Sequence, residues 1–174
     1  MRGLSAQGPF PVPVVLTQHM PPAFTQVLAE HLGRASRAPC VQAQDGEVLR
    51  AGAIHLAPGN RHLLVERVAE TLRARLWDSP PEHDCRPAAD PMLRSAAEAC
   101  DGGVLAIVLT GMGQDGLAGT RAVIEAGGTA LAQDETTSVV WGMPGRVARA
   151  GLCHAVLSPP ELAVRARALL DGTR

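Results

Sequence analysis

Val104-Leu105-Ala106-Ile107-Val108-Leu109-Thr110-Gly111-Met112-Gly113-Gln114-Asp115-Gly116 is an apolar run that breaks into a glycine-rich turn carrying one carboxylate. From Val104 to Thr110 every residue is apolar or β-branched, which predicts a strand buried on both faces. Gly111, Gly113 and Gly116 then turn the backbone, and Leu117–Ala126 reads as the helix that follows. Asp115 is thereby expected at the carboxyl end of a strand and beside a helix N-terminus, where open α/β sheets hold their ligands.

The pattern extends in both directions from that point. Pro9, Pro11 and Pro13 exclude regular structure before Val14, so residues 1–13 read as an irregular segment and 14–174 as one domain. Val14–Thr17 is a short strand that stops at Gln18-His19-Met20-Pro21-Pro22. A helix over 24–33 follows, with Phe24, Val27, Leu28, His31 and Leu32 as its apolar stripe and Gly33 as its stop. Cys40–Ala43 reads as a strand, and Ala53–Leu56 and His62–Val65 as two strands joined in a hairpin through Pro58-Gly59-Asn60. Residues 66–90 are the least regular, with Trp77–Pro81 as loop, before a helix at Met92–Cys100. Beyond the central strand come a strand at Thr129–Gln133, a helix or turn within Ser138–Ala150, a strand at Ala155–Leu157 and a closing helix near Pro160–Asp171. Strands alternating with helices at this spacing predict an α/β fold: a doubly wound, mostly parallel sheet with helices on both faces and a small antiparallel hairpin.

Composition excludes several classes of function. Sixteen basic and seventeen acidic residues give a net charge of −1, and aromatic residues make up 2% of the 174, so a basic, ring-bearing nucleic-acid surface is not expected. Cys40, Cys85, Cys100 and Cys153 form no C-x-x-C pair, which argues against a zinc ribbon or a disulfide framework and for reduced thiols. No leader-like or membrane-spanning apolar segment is present, so a cytoplasmic protein that is not membrane-inserted is expected. Neither a cofactor nor a metal is called for.

Two chemical readings of Gly111–Gly116 remain open on the letters alone. As G-x-G-x-x-G between a strand and a helix, with Asp134-Glu135 about twenty residues further on, it matches the dinucleotide fingerprint. Asp115 counts against that, because its carboxylate would stand where a pyrophosphate should rest. The second reading makes Asp115 the working group, with a simple helix cap as the bland alternative. His19 is its natural partner, since it also follows a buried strand and all such ends of a parallel sheet open on one edge. Together they suggest the base and orienting acid of a nucleophilic triad. His31, His55 and His62 fall inside regular elements and read as core or surface, while His83 and His154 carry no usable signal. Cys85 is a minor alternative nucleophile, and Arg86 and Arg94 read as a solvated face.

Gln18–Thr25 (QHMPPAFT), Ala57–Leu63, Cys85–Ser95 (CRPAADPMLRS), Leu109–Gly116 (LTGMGQDG) and the span from Ala132 to Pro144 together resemble the catalytic domain of chemotaxis protein-glutamate methylesterases of the CheB type. The resemblance covers nearly the whole chain from Val14 onward. It implies hydrolysis of γ-glutamyl methyl esters on methyl-accepting chemotaxis receptors, with glutamine deamidation as a companion reaction. It also implies a serine, a histidine and an aspartate acting in that chain order. His19 matches the family's histidine, Asp115 its aspartate, and Met112 a methionine lining its active site. Backbone N–H groups at Gly111 and Met112 are the implied oxyanion donors. The family's serine lies in a G-A-S-T-G-G turn between a strand and a helix. Here Ser5 is the only serine upstream of His19, thirteen positions before Gln18, with no strand-length segment before it and prolines after it. The expectation therefore divides among a shortened or wrongly started gene product, a non-catalytic relative that binds receptors, and an esterase using Ser5. The receiver domain that precedes this domain in the family has no counterpart in the sequence, so a receiver acting in trans is expected.

Overall fold

In the computed structural model, residues 9–172 are described. A first parallel sheet contains β1 (Val14–Leu16), β3 (Ile54–Leu56) and β2 (Cys40–Gln42), with β3 in the middle. A second parallel sheet contains β6 (Leu105–Val108), β7 (Thr129–Gln133) and β8 (Ala155–Leu157), with β7 in the middle. Between them in sequence, β4 (His62–Val68) and β5 (Thr71–Trp77) form an antiparallel ribbon. Five helices complete the described residues: α1 (Pro22–Ser36), α2 (Ala89–Ala99), α3 (Leu117–Glu125), α4 (Met143–Arg149) and α5 (Pro159–Leu170).

The α/β class, the parallel strands and the presence of one antiparallel hairpin match the sequence reading, but the hairpin lies elsewhere. Ala53–Leu56 and His62–Val65 do not pair; β4 instead continues to Val68 and returns as β5, so most of 66–77 is regular strand and Trp77 closes it. The Pro58-Gly59-Asn60 turn serves another purpose. A Cβ on Gly59 would fall 2.4 Å from the Pro22 Cα, so glycine lets this turn press against the prolines that follow His19.

Helix α1 runs on past Gly33 to Ser36 and ends with Arg37 in the left-handed region (φ 55°). Its packing face is not the expected stripe. Phe24 and Val27 are 58% and 49% exposed, whereas Thr25, Ala29 and Ser36 are buried. Thr25 Oγ1 donates to the Pro22 carbonyl and Ser36 Oγ to the Leu32 carbonyl, so small residues with internally satisfied hydroxyls can lie against the sheet. The central strand is shorter than expected, Leu105–Val108. Ala106 and Val108 are buried, Leu105 and Ile107 are half-buried, and Leu109 is exposed; among the described residues β6 pairs with β7 alone.

The two sheets share packing beneath them. Val15 of β1 and Val104, just before β6, lie against one cluster built from Leu63, Val65, Met92 and Ala96 of β4 and α2. Leu93 and Ala97 of α2 pack on Ala106 and Ala130 of the second sheet and on Val123 of α3. Helix α2 thus spans both halves. It meets α3 at very short range: a Cβ on Gly119 would stand 2.6 Å from the Leu93 Cβ and 2.9 Å from the Asp90 carbonyl oxygen. We expect Gly119→Ala to force α2 and α3 apart and to lower stability by about 1–3 kcal/mol. Urea unfolding of the variant against the parent chain measures this, and an unchanged midpoint would show that the helices have slack.

Candidate active site

Each half of the sheet contributes one side chain. His19 follows β1 and is kept out of helix by Pro21-Pro22; Asp115 follows β6 in the Gly111–Gly116 turn. Although ninety-six positions apart, His19 Nε2 and Asp115 Oδ2 are 2.6 Å from one another. Asp115 is 1% exposed, and the imidazole, at 27%, opens on solvent. The meeting of the two strand ends expected from the sequence is therefore present.

Asp115 does not cap its own helix. The residue before α3, Gly116, takes a left-handed conformation (φ 87°) and offers no side-chain cap, and Asp115 Oδ1 accepts only the Gly116 N–H there. Its other acceptor positions reach across to α2, whose own N-cap, Ala88, has no capping side chain. The Ala89 N–H donates to Oδ2 at 2.6 Å and the Asp90 N–H to Oδ1 at 2.9 Å. The dipole that stabilises this carboxylate is thus that of α2. Asp90 returns the arrangement: its Oδ1 accepts the Gly119 N–H in the first turn of α3 at 2.6 Å. The two helices exchange aspartates at their N-termini. At the start of α3, where the fingerprint would seat a pyrophosphate, the Gly116 N–H is given to Asp115 and the Gly119 N–H to Asp90, so the dinucleotide reading of Gly111–Gly116 loses its physical basis. Asp134, the other half of that fingerprint, instead accepts bonds from Thr136 and Thr137 in its own turn.

Burial alone would raise the Asp115 carboxyl pKa, but hydrogen bonds from His19, Ala89 and Asp90 outweigh it and hold the group below the usual carboxylate range. An ionised carboxylate only accepts, so His19 must donate from Nε2, which leaves Nδ1 as the lone-pair nitrogen free to take a proton.

His83 and Asp90 complete the cluster, and neither is picked out by the sequence reading. His83 and Asp84 both adopt left-handed backbone (φ 52° and 60°), which turns the loop back so that His83 Nε2 lies 3.0 Å from Asp90 Oδ2. His83, Asp90 and Asp115 bring ligand-type atoms within 4.8 Å of one another. Every carboxylate oxygen among them is already hydrogen-bonded to a backbone N–H or an imidazole. The set is a closed polar network. Its available signal was the aspartate in the first turn of a proline-flanked helix.

His19 lines an open cleft of about 450 Å³ with Met20, Asn60, Cys85 and Arg86. Cys85 is therefore near the imidazole, but burial first, and then the Asp115 and Asp84 charges, push its thiol pKa up, the reverse of what a thiolate nucleophile needs. Arg86 is bound to Asn60 Oδ1 and the Ser79 carbonyl, and Arg94 to Glu82 at 2.6 Å, so both pin the loop before α2 and are not free solvated groups. His55 and His62 are buried, while His31 is exposed on α1. Gly111 cannot serve as an oxyanion donor, because its N–H is given to the Val140 carbonyl at 3.0 Å. Met112 beside it is 81% exposed at the rim. Ser5 lies outside the described residues.

The site is thus a strand-end imidazole held by a buried carboxylate that caps a neighbouring helix, in an α/β fold with parallel sheets. The chain belongs to the CheB methylesterase family, whose profile matches residues 2–166. It is 56% identical over 151 residues to protein-glutamate methylesterase/protein-glutamine glutaminase 1 of Paramagnetospirillum magneticum, covering 87% of this chain and 40% of that protein. To the group 2 operon protein of the same description from Rhodopseudomonas palustris it is 50% identical over 162 residues, 93% of this chain and 41% of that one. The chain thus spans about two fifths of the length of these curated relatives. The solved catalytic domain of Thermotoga maritima CheB methylesterase superposes with a TM-score of 0.92 at 36% identity, covering 97% of this chain and 90% of that one.

Because the folded-state pKa of Asp115 lies below its unfolded value, its stabilisation is full above about pH 4 and is lost as pH falls through the folded value. Asp115→Asn should cost about 1–3 kcal/mol at neutral pH through the weakened bonds to α2 and His19. The gap between variant and parent should narrow when urea unfolding is repeated near pH 3. A gap independent of pH would show that the carboxylate is not ionised in the fold.

Proposed function

We propose that this chain carries the base and orienting acid of a protein-glutamate methylesterase, acting on γ-glutamyl methyl esters of chemotaxis receptors and, by the same chemistry, on receptor glutamines. The observation that supports this reading best is the 2.6 Å bond between His19 and Asp115 at the joined strand ends. The descriptions of the relatives supply the substrate class.

In this reading a hydroxyl placed about 2.6–3.2 Å from His19 Nδ1 gives its proton to that nitrogen as its oxygen bonds to the ester carbonyl carbon. The tetrahedral intermediate collapses, and methanol leaves with the proton held by His19. Water then loses a proton to Nδ1 and opens the acyl intermediate, which restores the hydroxyl and leaves a receptor glutamate. With glutamine, the departing group is ammonia. Asp115 remains ionised throughout, holding the ring in the Nε2–H tautomer and stabilising the imidazolium. The sequence's own candidate for the hydroxyl is Ser5. Exposed Met112, Val139 and Val140 give the rim an apolar surface on which a receptor helix could rest.

A second reading, receptor binding without turnover, draws on the same exposed apolar residues, Met112, Val139 and Val140. Methanol release from methylated receptor separates the two. Turnover by the parent chain should fall by about 10²–10⁴ in His19→Ala and by about 10⁴ in Asp115→Asn. Loss in Ser5→Ala would identify the nucleophile, and unchanged turnover would eliminate Ser5. Capture of methylated receptor helices with no methanol released would favour the binding reading, and failure to bind them would overturn both.

A further inference from the structure

His62, the first residue of β4, is 0% exposed, and the chemistry of His19 and Asp115 makes no use of it. Both of its ring nitrogens are nonetheless engaged. The Ala88 N–H donates to Nδ1 at 3.1 Å, and Nε2 lies 3.1 Å from the Pro80 carbonyl oxygen. An amide N–H only donates and a carbonyl only accepts, so the two partners together select the neutral ring with its proton on Nε2. The ring also packs against Trp77, its register partner on β5, with centroids 6.4 Å apart. A buried imidazole thus stands between residues 80 and 88 and ties both ends of the intervening loop to the ribbon.

That loop walls the cleft, where Asp84, Cys85, Arg86 and Pro87 stand with His19. Arg61 holds its start through two bonds of 2.9 Å to Asp78, and Arg86 and Arg94 hold it through the Ser79 carbonyl and Glu82. These guanidinium groups are half-exposed, and His62 adds what they do not: a bond to the residue that opens α2. A helix start leaves four backbone N–H groups without partners in the helix, and α2 has no capping side chain at Ala88 to help. All four positions are accounted for from outside. The Ala88 N–H goes to His62, the Ala89 and Asp90 N–H groups go to Asp115 at 2.6 and 2.9 Å, and Pro91 has no N–H to place. In a capping box the first of these donors is met by a carboxylate on the fourth residue, but Pro91 occupies that position, so the imidazole supplies the acceptor from β4. Successive planar peptides in a helical turn move together, so the direction of the Ala88 N–H sets where the next two amides can meet a carboxylate.

We propose that His62 is a positioning residue for the His19–Asp115 dyad: by holding the Ala88 N–H it sets the start of α2 and aims the two amides that fix Asp115 against His19. Turnover enters through the esterase reading above, on which this role rests, so the test pairs methanol release from methylated receptor with NMR spectra of the full chain. In the parent chain the His62 ring should carry its proton on Nε2, and a proton on Nδ1 would overturn the role. His62→Phe keeps an aromatic ring and removes both bonds. We expect its kcat per folded molecule to fall about 10–100-fold with KM nearly unchanged, because the dyad is displaced while the receptor-facing rim is not. The amide resonances of Ala89 and Asp90 and the ring nitrogens of His19 should shift in the same variant. His62→Gln, whose carboxamide can accept from Ala88 and donate to Pro80, should recover most of the turnover and bring those resonances back toward the parent positions. A loss of stability alone, with kcat and the resonances unmoved, would make His62 a plain core residue and overturn the proposal. A fall in kcat with the Ala89 and Asp90 amides unmoved would overturn it too. Should His62→Phe not fold, the ring form in the parent and the resonances of His62→Gln decide, parent-like positions supporting the role and displaced ones overturning it. A parent chain that releases no methanol counts against the esterase reading and leaves the positioning role to be decided by the spectra.

Discussion

A single carboxylate holds the architecture and the chemistry together. Asp115 accepts from the first two N–H groups of α2, from the amide of Gly116 and from the imidazole of His19. A buried carboxylate without such donors would be costly or would take up a proton. With them it is held ionised, and that charge sets the tautomer of His19. The catalytic-type dyad and the anchoring of α2 are therefore one interaction seen from two sides.

The reciprocal bond from Asp90 to the first turn of α3 makes the helix pair a unit. It works because Gly119 lets α3 approach the Asp90 backbone more closely than any other residue would allow. Helix α2 in turn packs under both halves of the sheet, through Met92 and Ala96 on one side and Leu93 and Ala97 on the other. The position of His19 relative to Asp115 is thereby fixed by the packing of the whole domain, and the Gly59 turn pressed against Pro22 fixes it from behind.

Much of this was readable from the letters where the signal was local. Strands Thr129–Gln133 and Ala155–Leu157 stand where the apolar runs placed them, and the strand-end positions of His19 and Asp115 followed from punctuation by proline and glycine. What was not readable depended on partners distant in sequence. The Pro58-Gly59-Asn60 turn has the composition of a hairpin, but its glycine answers to Pro22, and the true hairpin turns at Ala69, which adopts a left-handed conformation (φ 50°). The apolar stripe of α1 predicts its inner face, whereas satisfied hydroxyls allow Thr25 and Ser36 to take that place. Asp115 stands in sequence beside the start of α3, yet two of its donors belong to a helix that begins twenty-six positions earlier. His83 and Asp90 were missed because their pairing depends on two left-handed residues that no periodicity marks.

The double duty of Asp115 bears on how a lineage of such chains would drift. If turnover were lost, selection for a folded domain would still retain the aspartate, since removing it strips acceptors from the buried start of α2. His19, which makes one side-chain bond and opens on solvent, has no comparable hold. In descendants relieved of catalysis the imidazole should be replaced first and the carboxylate should persist. Among the two members of this dyad, the histidine is therefore the better marker of a working enzyme.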